Sequence, residues 1–137
     1  MNTTQLPAPV ANADSRPYWD AVKDQKLLIR KCSDCGELHF MPRYLCPFCW
    51  SDKLEWVQSK GAGSVHSYTV IRRAPVQTFA TRVPYVIALI ELDEGPRMMA
   101  NVLGEDALDT KIGDRVNVIF EDRGEDAKVP QFKRVKA

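Results

Sequence analysis

The sequence predicts a mainly β protein: a short N-terminal helix, a metal-holding ribbon and a five-stranded barrel. Three observations lead there. All four cysteines fall within "RKCSDCGELHFMPRYLCPFCWS" as two C-x-x-C pairs. After "GAG" at 61–63, short strand-like runs separated by turn residues fill the chain. Helical periodicity is confined to one stretch ahead of the first cysteine. At 137 residues this is one modest domain, or a small module joined to a domain of about 80 residues. An apolar content of 45% with 9% aromatics fits a folded globular chain and argues against disorder as the dominant state.

Residues 1–13, rich in Pro, Ala, Asn and Thr, read as a flexible leader. They carry neither the basic start nor the apolar run of a secretory or transit peptide. No segment approaches the roughly 18 apolar residues of a membrane span. The expectation is a cytoplasmic protein without membrane contact, where paired cysteines hold metal or do redox work more often than they form disulfides.

Residues 14–27, "DSRPYWDAVKDQKL", suit a helix that Asp14 or Ser15 caps and Pro17 starts. Tyr18, Trp19 and Val22 fall on one side at helical spacing, for packing on the chain itself or docking on a partner subunit. Residues 28–60 form the ribbon, entered by "KLLIRKC" and left by "KLEWVQS", both extended. "GAG" then breaks the pattern, and Gly61 marks the one domain boundary. Residues 61–137 hold the runs "SVHSYTVIRR", "YVIALIELDEG", "RMMANVLG", "GDRVNVIFED" and "PQFKRV". In "RVNVIF", Val116, Val118 and Phe120 share a face, and Gly95 in "LDEGPR" closes a hairpin. "GEDALDTKIGD" lies between the third and fourth runs, where a five-stranded OB-fold barrel inserts a helix or loop.

The cysteines carry the chemistry. Two C-x-x-C knuckles offer four thiolates to one tetrahedral divalent ion, with Cys32, Cys35, Cys46 and Cys49 as ligands. Gly36 lets the first knuckle curl, and Pro47 stiffens the second. A closed four-thiolate site has no open position for substrate, so the metal is structural, and zinc is the expected ion. Iron accepts the same ligands, which leaves a small electron carrier as an alternative. A redox dithiol is a further one, although it normally comes as a single pair at a helix N-terminus. His39 and His66 read as packing or surface residues, and no nucleophile signature such as G-x-S-x-G is present. An independent enzyme is therefore not expected. Filling the site brings the formal charge from +1 to about −1, without the basic excess of a nucleic-acid binder. A nucleic-acid-binding ribbon and OB-fold nonetheless stays open as a second function.

The order of helix, C-x-x-C-G, C-P-x-C, glycine turn, then "PYVIALIELDEGPRMMANV" and "IGDRVNVIFE" resembles the DUF35 family over about residues 14–135. The resemblance implies a rubredoxin-like zinc ribbon joined to an OB-fold. It also implies a noncatalytic accessory subunit in a hetero-oligomer with a thiolase-like acyl-CoA enzyme, whose own cysteine does the chemistry. The small subunit would support assembly and shape the route of the coenzyme A thioester.

One stretch of the sequence fits that role. "RRAPVQTFATRVPY", between the first two barrel strands, is long for a compact domain and sets Arg72, Arg73 and Arg82 around an exposed-looking Phe79. Guanidinium groups there suit a partner's carboxylates or the phosphates of coenzyme A, against the plainer reading of a solvated loop. Phe40, Tyr44, Phe48 and Trp50 either cover the metal site or face a partner.

Overall fold

The computed structural model describes residues 6–135. Its elements are α1 (Arg16–Lys23), β1 (Leu28–Cys32), β2 (Leu38–His39), β3 (Leu54–Gln58), β4 (Ala62–Ile71), β5 (Tyr85–Leu92), β6 (Arg97–Leu103), β7 (Arg115–Asp122) and β8 (Lys128–Arg134). One-turn 3-10 helices sit at Gln77–Phe79 and Ala107–Asp109. The second of these lies in the segment between the third and fourth barrel strands.

The helix is shorter than residues 14–27 because both ends are set by groups the sequence does not advertise. Ser15 makes no side-chain bond into the first turn; it exchanges bonds with Asn12, its amide donating to Asn12 Oδ1 at 2.9 Å while Asn12 N–H donates to Ser15 Oγ at 3.1 Å. At the other end Gln25 takes a left-handed φ of 60° without being glycine, and Gln25 N–H closes on the Val22 carbonyl. Tyr18 and Val22 are buried and Trp19 packs against the same core, so the stripe serves the chain itself. Of the expected leader, residues 1–5 lie outside the described residues. Pro7 is tied down, because Arg123, nearly buried, donates to its carbonyl at 3.0 Å.

β2, β1 and β3 form a small antiparallel sheet, with Arg30 opposite both His39 and Trp56. The other five strands close a barrel in the order β4-β5-β6-β8-β7. This is the first, second, third, fifth, fourth circuit of an OB-fold. One continuous core joins the two parts: Tyr18, Val22, Leu27 and Ile29 pack in a single cluster with Val65, Val86, Ile90, Val102, Val116 and Phe132. The ribbon thus borrows the barrel's apolar interior, since so small a sheet buries too little on its own.

The barrel closes at its weakest seam with a side chain. β6 and β8 run parallel and pair only through Val102–Phe132 and Leu103–Lys133. Next to that pairing the buried Gln131 substitutes for backbone: its Oε1 accepts Asn101 N–H at 2.7 Å, and Asn101 Nδ2 donates onward to the Val86 carbonyl. Along β7, Val116 is buried and Val118 and Phe120 pack on the core, as period-two alternation requires.

The "GAG" break falls inside the architecture differently from the sequence expectation. β4 begins at Ala62, so Gly63 is a strand residue. The turn belongs to Gly61, at φ 76°, whose carbonyl accepts Val118 N–H at 2.7 Å. A Cβ there would stand 2.2 Å from Val118 Cγ1. Gly61→Ala therefore combines a disfavoured backbone with an overpacked contact and should cost about 2 kcal/mol or more. Chemical denaturation of the metal-loaded protein would check it; a midpoint equal to wild type would contradict this account of the hinge.

Candidate metal centre and its surroundings

Each C-x-x-C segment folds into the same turn. Gly36 N–H bonds the Cys32 carbonyl at 2.9 Å, and Trp50 N–H bonds the Cys46 carbonyl at 2.9 Å. Amides also point at sulfur: Cys35 N–H at Cys32 Sγ, 3.5 Å away, and Phe48 N–H at Cys46 Sγ, 3.4 Å away. The turn needs a left-handed residue after its second cysteine. The first knuckle uses Gly36 at φ 78°, but the second uses Trp50 at φ 68°. The two knuckles are held together by Ser33 N–H on the Lys53 carbonyl and by the Ser51 hydroxyl on Asp34.

The sulfurs of Cys32, Cys35, Cys46 and Cys49 all lie within 4.8 Å of one another. Cys32 and Cys49 approach to 3.5 Å, and Cys35 and Cys46 to 3.6 Å. A disulfide would need about 2 Å. A tetrahedron with metal–sulfur bonds of about 2.3 Å has edges of about 3.8 Å, so the spacing suits a central ion. Protonation agrees. The amide of Cys35 is the chief influence that draws the Cys32 thiol down to about 7. A hydrogen bond from the Glu37 amide also lowers Cys35, yet partial desolvation and the sulfurs of Cys46, Cys49 and Cys32 outweigh it and leave that thiol raised, to about 12. Four sulfurs so close cannot all ionise without a cation among them. The donor set therefore fits a divalent ion, and the four thiolates leave no position on it for a reacting molecule.

Both histidines sit apart from this chemistry. His39 is buried opposite Arg30, with neither ring nitrogen hydrogen-bonded among the described residues. Burial, then the charges of Arg30 and Arg43, lower its pKa, so it is neutral at pH 7. Arg30 itself stacks over the Trp56 ring at 4.2 Å. His66 is exposed at the irregularity between Val65 and Ser67 in β4.

The ribbon aromatics divide. Phe40 is half-buried and meets Tyr18 edge-on at 5.6 Å, covering the core. Tyr44, Phe48 and Trp50 are exposed. A left-handed tryptophan carries no sequence signal, so the role of Trp50 in the knuckle was not legible beforehand.

The long loop between β4 and β5 is less open than its composition suggests. Phe79 is half-buried, not exposed, because its ring packs on Tyr85 with centroids 5.6 Å apart. Arg82 is spent on the barrel wall, its Nη2 donating to Glu121 Oε2 at 3.0 Å. Glu121 also receives Arg123 Nε at 3.0 Å. Arg72 and Arg73 are exposed and belong to none of the ion pairs found among the described residues. Of the four loop residues, these two are free to meet another molecule. No helix among the described residues is long and apolar enough to cross a membrane.

Comparison with known proteins follows the same division. Residues 19–55 match the family model of the ChsH2 rubredoxin-like zinc ribbon domain, and residues 56–121 that of the ChsH2 C-terminal OB-fold domain. A DUF35 domain-containing scaffold protein of Methanothermobacter thermautotrophicus is 38% identical over 103 residues, covering 72% of this chain and 77% of its own. A probable enoyl-CoA hydratase alpha subunit of Thermomonospora curvata is 38% identical over 98 residues, covering 72% of this chain, which spans only 30% of that longer relative. The benzoylsuccinyl-CoA thiolase subunit BbsA of Geobacter metallireducens is 36% identical over 75 residues, or 55% of this chain and 49% of its own. Among solved structures, a chain of the Ltp2-ChsH2(DUF35) aldolase superposes with a TM-score of 0.81 at 32% identity, covering 92% of this chain and 98% of that one.

Two outcomes follow from the geometry. Elemental analysis of the purified protein should give one zinc per chain, and Cys46→Ser should abolish stoichiometric metal and hydrogen-exchange protection in β1 and β3; a folded ribbon without metal would contradict a structural ion. The second concerns acid. Burial alone would raise Glu121, but Arg123 and Arg82 hold it below the usual glutamate range. Its contribution is therefore fully present above the unfolded value near 4.3 and is lost as pH falls through the lower folded value. Glu121→Gln should flatten the stability loss in that window and speed hydrogen exchange across residues 72–84, with wild-type exchange there counting against the clamp.

Proposed function

The chain belongs to the DUF35 family, and from that premise we propose that it is a noncatalytic accessory subunit of a thiolase-type acyl-CoA enzyme. The partner forms or breaks the bond with its own cysteine, and this chain supports the assembly as part of a hetero-oligomer. The observation that carries the proposal is the likeness of the whole ribbon-and-barrel unit to a chain of the Ltp2-ChsH2(DUF35) aldolase. The named relatives support it, since they are scaffold proteins and subunits associated with CoA thioesters. So does the commitment of all four cysteines to one closed cluster, which leaves this chain without a thiol nucleophile.

The proposal extends to the loop. Arg82 and Phe79 fix the segment against Glu121 and Tyr85, so that Arg72 and Arg73 face outward from a held backbone. Two exposed guanidinium groups suit the phosphates of a coenzyme A thioester at the partner boundary, or carboxylates of the partner itself.

Reconstitution with the purified catalytic partner tests the role. Turnover of the acyl-CoA substrate should require both chains, with this one inactive alone; a partner fully active by itself, and no binding between the two, would sink the proposal. Within the complex, Arg72→Ala combined with Arg73→Ala should raise the KM for the thioester roughly tenfold with kcat little changed, as loss of one charge-assisted contact implies. Unchanged kinetics and assembly would show the loop to be merely solvated.

A further inference from the structure

We infer that the outer face of the ribbon, running from Trp50 and Tyr44 through Met41 to Met99 of β6, is the surface on which the catalytic partner docks. The inference rests on the accessory-subunit proposal and names the place where that subunit binds.

Composition sets this face apart. The chain is 27% charged, yet the stretch Leu38 to Ser51 holds a single full charge, Arg43. Trp50 is 77% exposed, Tyr44 69%, Met99 68% and Met41 61%. Aromatic residues, methionine and arginine, with lysine and carboxylates depleted, is the composition of interface centres. Together with Leu45, these side chains leave on the order of 600 Å² open, at the upper limit for a solvated monomer and most of one side of a standard interface of about 800 Å².

Shape agrees with composition. Tyr44, Leu45, Pro47 and Trp50 line a hollow of about 330 Å³ beside the second knuckle. Where α1, the ribbon and β6 meet, Trp19, Phe40, Met41, Met98 and Met99 line a cleft of about 390 Å³. The run Met41-Pro42-Arg43-Tyr44 joins the two. Such hollows receive the anchoring side chains of a partner, and methionine walls adapt to them.

Trp50 supplies the sharpest argument. Its knuckle position calls for a left-handed residue, which its counterpart meets with Gly36. A tryptophan there bears a backbone penalty of about 1 kcal/mol, and with most of its surface open it recovers little by packing in its own chain. The return lies outside the chain.

Charge indicates the occupant. Arg43 is exposed and belongs to none of the ion pairs among the described residues, so the complementary surface is apolar with a carboxylate opposite it. A second copy of the same face would offer no acid. A nucleic acid would call for several cations where there is one. A protein partner of different sequence satisfies both conditions.

The test is the affinity of the purified, metal-loaded full chain for its purified catalytic partner, by titration calorimetry, with the oligomeric state of each chain alone measured by sedimentation. Tyr44→Ala with Trp50→Gly removes two anchors while giving the knuckle the residue its twin already uses, and the Co(II) thiolate spectrum reports an intact centre. This double variant should bind roughly 100-fold more weakly, and Met99→Glu, outside the ribbon, at least about tenfold more weakly. Wild-type affinity in both variants, with the centre intact, would place docking elsewhere and leave the accessory role standing. Failure of the wild-type chain to bind would overturn the role and the face together. Self-association of the wild type that the double variant abolishes would assign the face to a second copy instead.

Discussion

Four sulfurs gathered within 4.8 Å of one another are the constraint on which the rest of the ribbon depends. Between β1 and β3 the chain makes two knuckles and a strand of only two residues, β2, which cannot hold themselves by burial. An ion held by all four thiolates ties both knuckles at once. That bond energy explains how so many aromatic and methionine side chains can stay on the outside of so small a sheet. With the centre fixed, Leu27 and Ile29, just before and within β1, enter the barrel's own core, Trp56 and Val57 of β3 pack against it, and the two parts become one packed body.

The barrel in turn depends on a few polar side chains placed where backbone pairing runs out. Gln131 completes the short parallel seam between β6 and β8, and Glu121 gathers Arg82 from the long loop and Arg123, which holds Pro7. These contacts decide which parts of the surface are held and which are presented. Arg72 and Arg73 point from a pinned loop, and the ribbon face points from a metal-fixed sheet. Both surfaces rest on held segments, which suits the accessory role proposed above, because binding to a prearranged surface loses less conformational entropy.

How much of this was legible in the sequence depended on how local the cause was. The ligand cluster was legible because thiolate spacing within a knuckle is a local property, and so was the barrel, since Val116, Val118 and Phe120 repeat at the strand period. The glycine turn is narrower than the run "GAG" suggests: Gly61 turns, but Gly63 is already paired in β4. What lay hidden was set by distant partners. Arg82 looks like its two loop neighbours until Glu121, far along the chain, is brought against it. Phe79 looks exposed until Tyr85 folds back on it. Trp50 differs from an ordinary ribbon aromatic only in its backbone angle, which no residue pattern encodes.

The central claim is that this metal-stapled module exists to be bound by an acyl-CoA enzyme. Native mass spectrometry of the tagged chain, isolated from its own cells under gentle conditions, tests it most directly. The account predicts a stoichiometric complex with a thiolase-like subunit and one zinc retained per copy of this chain. The chain recovered alone, or with nucleic acid in place of that enzyme, would contradict it.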